Sequence, residues 1–243
     1  MQPFLIALQF LTCLPVQLSG KPEPHQVGKS VLYYPLVGLL IGGMLGLLSL
    51  LLEGAAPPLQ AALMLVAWIG LTGALHLDGL ADSADAWLGG FGDRERTLAI
   101  MKDPRSGPVA VVVLVAVLLL KFVALWTLLD EGKHLALLLA PLVGRSALLG
   151  LFLTTPYVRP GGLGQALAEH LSRAAVRRVL VMVALLCLVS GQSGWLALAV
   201  AIGIGALARQ AMCRRIGGTT GDTAGALLEL AECAVLVALA LQA

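Results

Sequence analysis

The sequence predicts an all-α fold: a polytopic, integral-membrane helical bundle of about seven transmembrane helices plus a short N-terminal interfacial helix, in one membrane-embedded domain over residues 1–243. Three observations predict it. Hydrophobic residues make up 58% of the chain and charged residues only 12%, with mean hydropathy +0.91, whereas soluble domains carry about 25% charged residues. Long apolar runs occur at 109–120, 135–153 and 179–189, the pattern of buried or lipid-facing helices. Glycine and proline cluster between such runs, at 54–58, 104–108, 156–164 and 217–221, where they end one helix before the next begins.

The elements follow in order. Residues 3–16 are apolar but too short to span comfortably, so they are expected to lie in the interface or re-enter. The windows 36–52 and 59–77 come next, then 108–129, 135–153, 177–190, 194–207 and 224–242; the stretch 177–207 admits another division. No soluble domain, internal repeat or low-complexity tail interrupts them. The opening MQPFL lacks a basic n-region and a cleavage site, so no cleaved signal peptide is expected. Cys13, Cys187, Cys213 and Cys233 are scattered without a CxxC pair and read as packing residues.

Charge orients the bundle. Segments 17–35, 78–107, 154–176 (with Arg177 and Arg178 at its edge) and 208–223 hold thirteen Lys and Arg, against Lys133 alone in the alternate connections. The positive-inside rule then places the N-terminus and the long loops in the cytoplasm and the C-terminus outside. Asp78, Asp82, Asp85, Asp93, Glu95, Asp103, Glu169 and Asp222 fall on the same side, which the rule does not demand. A folded polar site at that face is the expectation. The net charge of +2 is not gathered on a soluble surface, so no nucleic-acid partner is expected; lipid is.

The segment 76–85, HLDGLADSAD, is the most informative. Asp78, Asp82 and Asp85 stand four and three apart, within about 60° of one another on one helix face. Carboxylates in a bilayer cost about 2.5–3.5 kcal/mol each at mid-helix, and a divalent cation such as Mg²⁺ or Mn²⁺ would offset them. A solvated helix end is the plainer reading. The segment 101–107, MKDPRSG, offers Lys102 and Arg105 to phosphate oxygens and Asp103 as a base or further ligand, or else simply anchors the next helix. The segment 217–225, GGTTGDTAG, opens the last helix with small residues and hydroxyls, an anion site or an Asp222 cap. Glu229 and Glu232 continue that helix inward, as functional carboxylates or as partners of Arg145, which must face the bundle or a wet cavity. Lys121 is expected to snorkel outward. Candidate substrate contacts are His76, Arg145, Arg159, Thr219, Thr220 and Asp222; candidate metal ligands are Asp78, Asp82 and Asp85; and candidate catalytic groups are Asp85, Asp103, Lys102 and Arg105. No GxSxG, HExxH or CxxC occurs, which removes support for hydrolase and zinc chemistry.

Segments 73–82 (GALHLDGLAD), 100–107 (IMKDPRSG) and 217–222 (GGTTGD), with FLTCLP at 10–15 and YPLVG at 34–38, together resemble the cobalamin (5′-phosphate) synthase family, also called adenosylcobinamide-GDP ribazoletransferase. Ser83, Pro104 and Ser106 depart from the usual pattern while the charged positions stay intact. The resemblance implies Mg²⁺-dependent joining of adenosylcobinamide-GDP to α-ribazole or its 5′-phosphate, with release of GMP, in the bacterial cytoplasmic membrane. It leaves open a homo-oligomer or association with other enzymes of the cobalamin pathway. A CDP-alcohol phosphotransferase is the runner-up, but 78–82 lacks that family's Ala-Arg pair. A transporter would place charges near the midplane with an internal repeat, whereas here polar residues gather on one side.

Overall fold

A computed structural model describes residues 2–18, 20–161 and 163–243, and its regular elements are all helical. Helix α1 (Gln2–Leu11) precedes α2 (Pro24–Ser30), α3 (Tyr34–Leu51) and α4 (Pro57–Thr72); α5 (Leu75–Gly89) and α6 (Arg94–Ile100) follow. The rest are α7 (Pro108–Asp130), α8 (Ala136–Thr154), α9 (Leu163–Glu169), α10 (Arg173–Val189), α11 (Gly191–Ile216) and α12 (Gly221–Ala240). Proline stands in the first turn of α2, α3, α4 and α7, where its missing N–H costs nothing and its fixed φ suits the helix.

Among the described residues, five helices are long and apolar enough to cross a membrane, and six spans result if α4 and α5 form one broken span. That corrects the expected seven at two places. The window 59–77 does not run straight: Gly73 (φ 62°) and Ala74 (φ 57°) turn the chain so that α5 leaves α4 at 89°. Two successive left-handed residues cannot continue a right-handed helix. The expected span at 177–190 lies in α10, whose 17 residues open with Arg173, Arg177 and Arg178. Its apolar remainder is too short to span alone at about 1.5 Å per residue. The N-terminal segment is a docked helix: the Phe10 ring stacks on Tyr34 at 6.2 Å, and the Cys13 amide donates to the Leu71 carbonyl at the end of α4.

Helices α8 and α12 are the most enclosed, while α7 and α11 turn apolar side chains such as Val112, Val115, Ile202 and Leu207 outward. Close packing at the centre follows from small residues. Pro141 within α8 cannot donate to the Leu137 carbonyl, and α3 packs at that point, where a Cβ on Gly42 would lie 2.6 Å from that oxygen. The long loops gather at one end of the bundle through arginine bonds to backbone carbonyls: Arg94 to Ile216 at 2.8 Å, Arg159 to Met101 at 3.1 Å and Arg209 to Thr154 at 3.0 Å. At the other end Lys133 donates to the Gln242 carbonyl at 2.6 Å. The segregation of basic residues in the sequence thus becomes one polar end of the fold.

Candidate functional site

Helix α5 carries the carboxylates into that polar end. Its residues 76–79 pack against the start of α12 so closely that a Cβ on Gly79 would meet the Asp222 carbonyl at 2.8 Å. Glycine at 79 therefore lets Asp78 and Asp82 approach Asp222. Asp82 has Asp78, Asp222 and Asp85 as like-charged neighbours and Arg159 as the opposing charge. Arg159 forms an ion pair with Asp222 at 2.8 Å.

The loop carrying Arg159 is fixed to the loop before α12 by a parallel bridge between Tyr157 and Thr219, with Val158 N to Thr219 O at 2.9 Å and Thr219 N to Pro156 O at 2.8 Å. Thr220 caps α12 reciprocally with Thr223, and the Thr219 and Thr223 hydroxyls bond at 2.9 Å. Both threonines are fully buried. Their hydroxyls serve the loop, which corrects the expectation that Thr219 and Thr220 meet substrate. Burial raises the Tyr157 phenol above its ordinary pKa, so it stays protonated.

Two cavities meet at this loop. One, of about 150 Å³, is lined by Asp78, Asp222, Arg159, His76, Tyr34 and Tyr157 among others. The second, wider at about 890 Å³, shares Phe152, Tyr157 and Arg159 with it and adds Arg173 and Arg177.

The remaining expected residues are placed differently. Asp85 does not join Asp78 and Asp82: its two oxygens accept from the amides of Gly107 at 2.5 Å and Ala110 at 2.9 Å, in the first turn of α7. Among the described residues no three His, Cys, Asp or Glu side chains enclose a metal ion. An Asp85→Ala chain is expected to lose about 0.5–2 kcal/mol, the worth of a helix cap, seen as a lower unfolding midpoint in detergent. An Asp85→Asn chain, retaining an acceptor, is expected to keep turnover within a few-fold.

Asp103 and Arg105 engage each other at 2.7 and 2.9 Å, and Arg105 is largely exposed. The Arg105 hydrogen bonds pull the Asp103 carboxyl down to about 2, which makes it a weak base. Lys102 is exposed on the same loop, which touches the site through Met101, whose carbonyl Arg159 grips and whose sulfur faces Thr220.

Arg145 lines neither cavity. It is fully buried and paired with Glu232, which with Glu229 also holds Lys121, at 2.8 and 2.6 Å. Lys121 is 3% exposed and lies 4.9 Å from the centre of the Trp68 ring. It does not snorkel: an ammonium with two carboxylates and an aromatic face inside the bundle has no cause to reach for water. This network is structural. Sequence reasoning missed Phe10, Tyr34 and Tyr157 as cavity residues; an aromatic hydroxyl at the start of an apolar run was the signal Tyr34 offered.

A family model for cobalamin-5-phosphate synthase (CobS) matches residues 3–240. Proteins named adenosylcobinamide-GDP ribazoletransferase are similar over nearly the full length of both chains. The protein from Pseudomonas putida (strain GB-1) is 68% identical over 241 residues, covering 99% of each chain. The one from Stutzerimonas stutzeri (strain A1501) is 67% identical over 242 residues, covering 100% of this chain and 99% of its own. No solved structure matches. With a family model spanning nearly every residue and full-length relatives at two-thirds identity, this chain belongs to the cobalamin-5-phosphate synthase family.

Proposed function

We propose that this membrane enzyme carries out the final assembly step of cobalamin: a ribose hydroxyl of α-ribazole, or of its 5′-phosphate, attacks the corrinoid-side phosphorus of adenosylcobinamide-GDP, and GMP leaves. The observation that carries the site assignment is the meeting of Asp78, Asp82, Asp222 and Arg159 where α5 packs on the start of α12. Phosphoryl transfer needs positioning and charge neutralisation more than covalent help, and this cluster offers both.

Mg²⁺ takes one or two carboxylates, substrate phosphate oxygens and water rather than a closed protein cage. The donor set fits: Asp78 and Asp222 line one cavity with hard oxygen atoms and would hold the ion, which when bound neutralises the diphosphate. Asp82, among its like-charged neighbours, takes the proton from the attacking hydroxyl. Arg159 bonds phosphate oxygens at the junction of the two cavities, and Lys102 and Arg105 supply further positive charge as GMP departs. The basic-residue asymmetry supports a cytoplasmic face of the bacterial inner membrane, where nucleotide substrates are at hand.

The purified full chain, given adenosylcobinamide-GDP and α-ribazole, is expected to form cobalamin and GMP only with Mg²⁺ present. Equal turnover after exhaustive chelation would remove the metal from the proposal. Absence of GMP with either ribazole form would remove the reaction.

A further inference from the structure

The smaller cavity is apolar on most sides, walled by Phe10, Leu75, Leu148, Phe152 and Leu167, and opens toward Asp78, Arg159 and Asp222. Two of its lining residues hold polar atoms with no hydrogen bond of ordinary geometry among the described residues: the Tyr34 hydroxyl, which has the Ser30 side chain beside it, and His76 Nδ1. Both residues are deeply buried, Tyr34 at 1% exposure and His76 at 4%. A buried polar atom left unbonded is costly, and an unbonded donor on a residue that lines an apolar chamber marks a site that a ligand can complete.

The chemistry of the chamber selects among the parts of the two substrates. Guanine presents several donors and acceptors around its edge, and burying it here would leave most of them unmet. The corrinoid is too large for about 150 Å³, and the wider cavity with Arg159, Arg173 and Arg177 suits the bulky diphosphate-bearing substrate. A benzimidazole base is planar and apolar, with one ring nitrogen carrying ribose and the other a lone acceptor.

Resting on the transferase reading above, we propose that this chamber holds the base of α-ribazole, with the Tyr34 hydroxyl donating to its free ring nitrogen. Phe10, stacked beside Tyr34, and Phe152 supply apolar walls, and His76 is left for a ribose hydroxyl. Tyr34 thereby becomes a specificity-determining residue for the base. The ribose end faces Asp78 and Asp222, two of the carboxylates that Asp82 has as charged neighbours.

The test compares Tyr34→Phe with wild type on α-ribazole and on the riboside of dimethylindole, in which the free nitrogen is replaced by CH. Tyr34→Phe is expected to raise KM for α-ribazole about 3- to 10-fold while KM for adenosylcobinamide-GDP stays constant. The indole riboside is expected to bind wild type more weakly by a similar factor, with no further loss in the variant, as a shared hydrogen bond requires. Thermal stability should change little, because the contact with the Ser30 side chain is all the hydroxyl has to lose. A rise in KM for adenosylcobinamide-GDP alone, or no change in either KM, overturns the proposal even though GMP is still made. Should wild type release no GMP, the reaction reading fails separately. Fluorescence-monitored binding of free dimethylbenzimidazole then decides the chamber: weaker binding by Tyr34→Phe sustains it, and equal binding overturns it.

Discussion

Replacing Asp82 by Asn is expected to lower kcat by about 10²–10⁴-fold, the usual worth of a general base, with KM for both substrates little changed. Asn keeps the size and one acceptor oxygen but cannot take a proton. Asp78→Asn should behave differently: as a proposed metal ligand, its loss should raise the Mg²⁺ concentration for half-maximal activity at least about tenfold, with part of the activity regained at high Mg²⁺. Titrating Mg²⁺ at saturating substrates separates the two roles. An Asp82→Asn enzyme that turns over normally would return the proton to solvent and leave the cluster as a binding site alone.

The second large effect concerns the fold. A Lys121→Met chain leaves Glu229 and Glu232 facing Arg145 alone in the bundle interior. Removing one partner of a buried ion-pair network costs about 3–5 kcal/mol, because the charge left behind has no water to reach. The expected result is a sharply lower unfolding midpoint and little folded protein in the membrane. Lys121→Met combined with Glu229→Gln restores one cation to one carboxylate, and should recover more than half of the loss. Equal destabilisation in the single and double variants would show that Lys121 contributes packing and not charge.

Much of this was legible in the sequence because membrane helices announce themselves by composition and their loops by charge. The polar end, the Asp78 and Asp82 face and the Asp222 loop all followed from residue type and spacing. What was not legible depended on long-range geometry. The spacing of Asp85 matches that of Asp78 and Asp82, yet the start of α7 approaches it and takes both oxygens; no local pattern states which amides will arrive. Lys121 looked like a lipid-facing lysine because its carboxylate partners lie 108 and 111 residues away. The hydroxyls of Thr219 and Thr220 looked available for an anion, but a buried loop must satisfy its own polar groups first. The elbow was hidden because an Ala at 74 gives no warning of a left-handed conformation.

The placement of the buried acidic partners, Glu229 and Glu232, on α12 bears on how the protein is made. Lys121 and Arg145 stand on α7 and α8, and their compensation comes from Glu229 and Glu232 on α12, which is synthesised after both. Asp222, which closes the cluster with Arg159, emerges from the ribosome at the same late moment. Charge balance and the proposed site are therefore completed together. A nascent chain stalled before α12 is expected to hold two uncompensated cations and an unfinished cluster, so insertion of α12 is the step expected to bring both together.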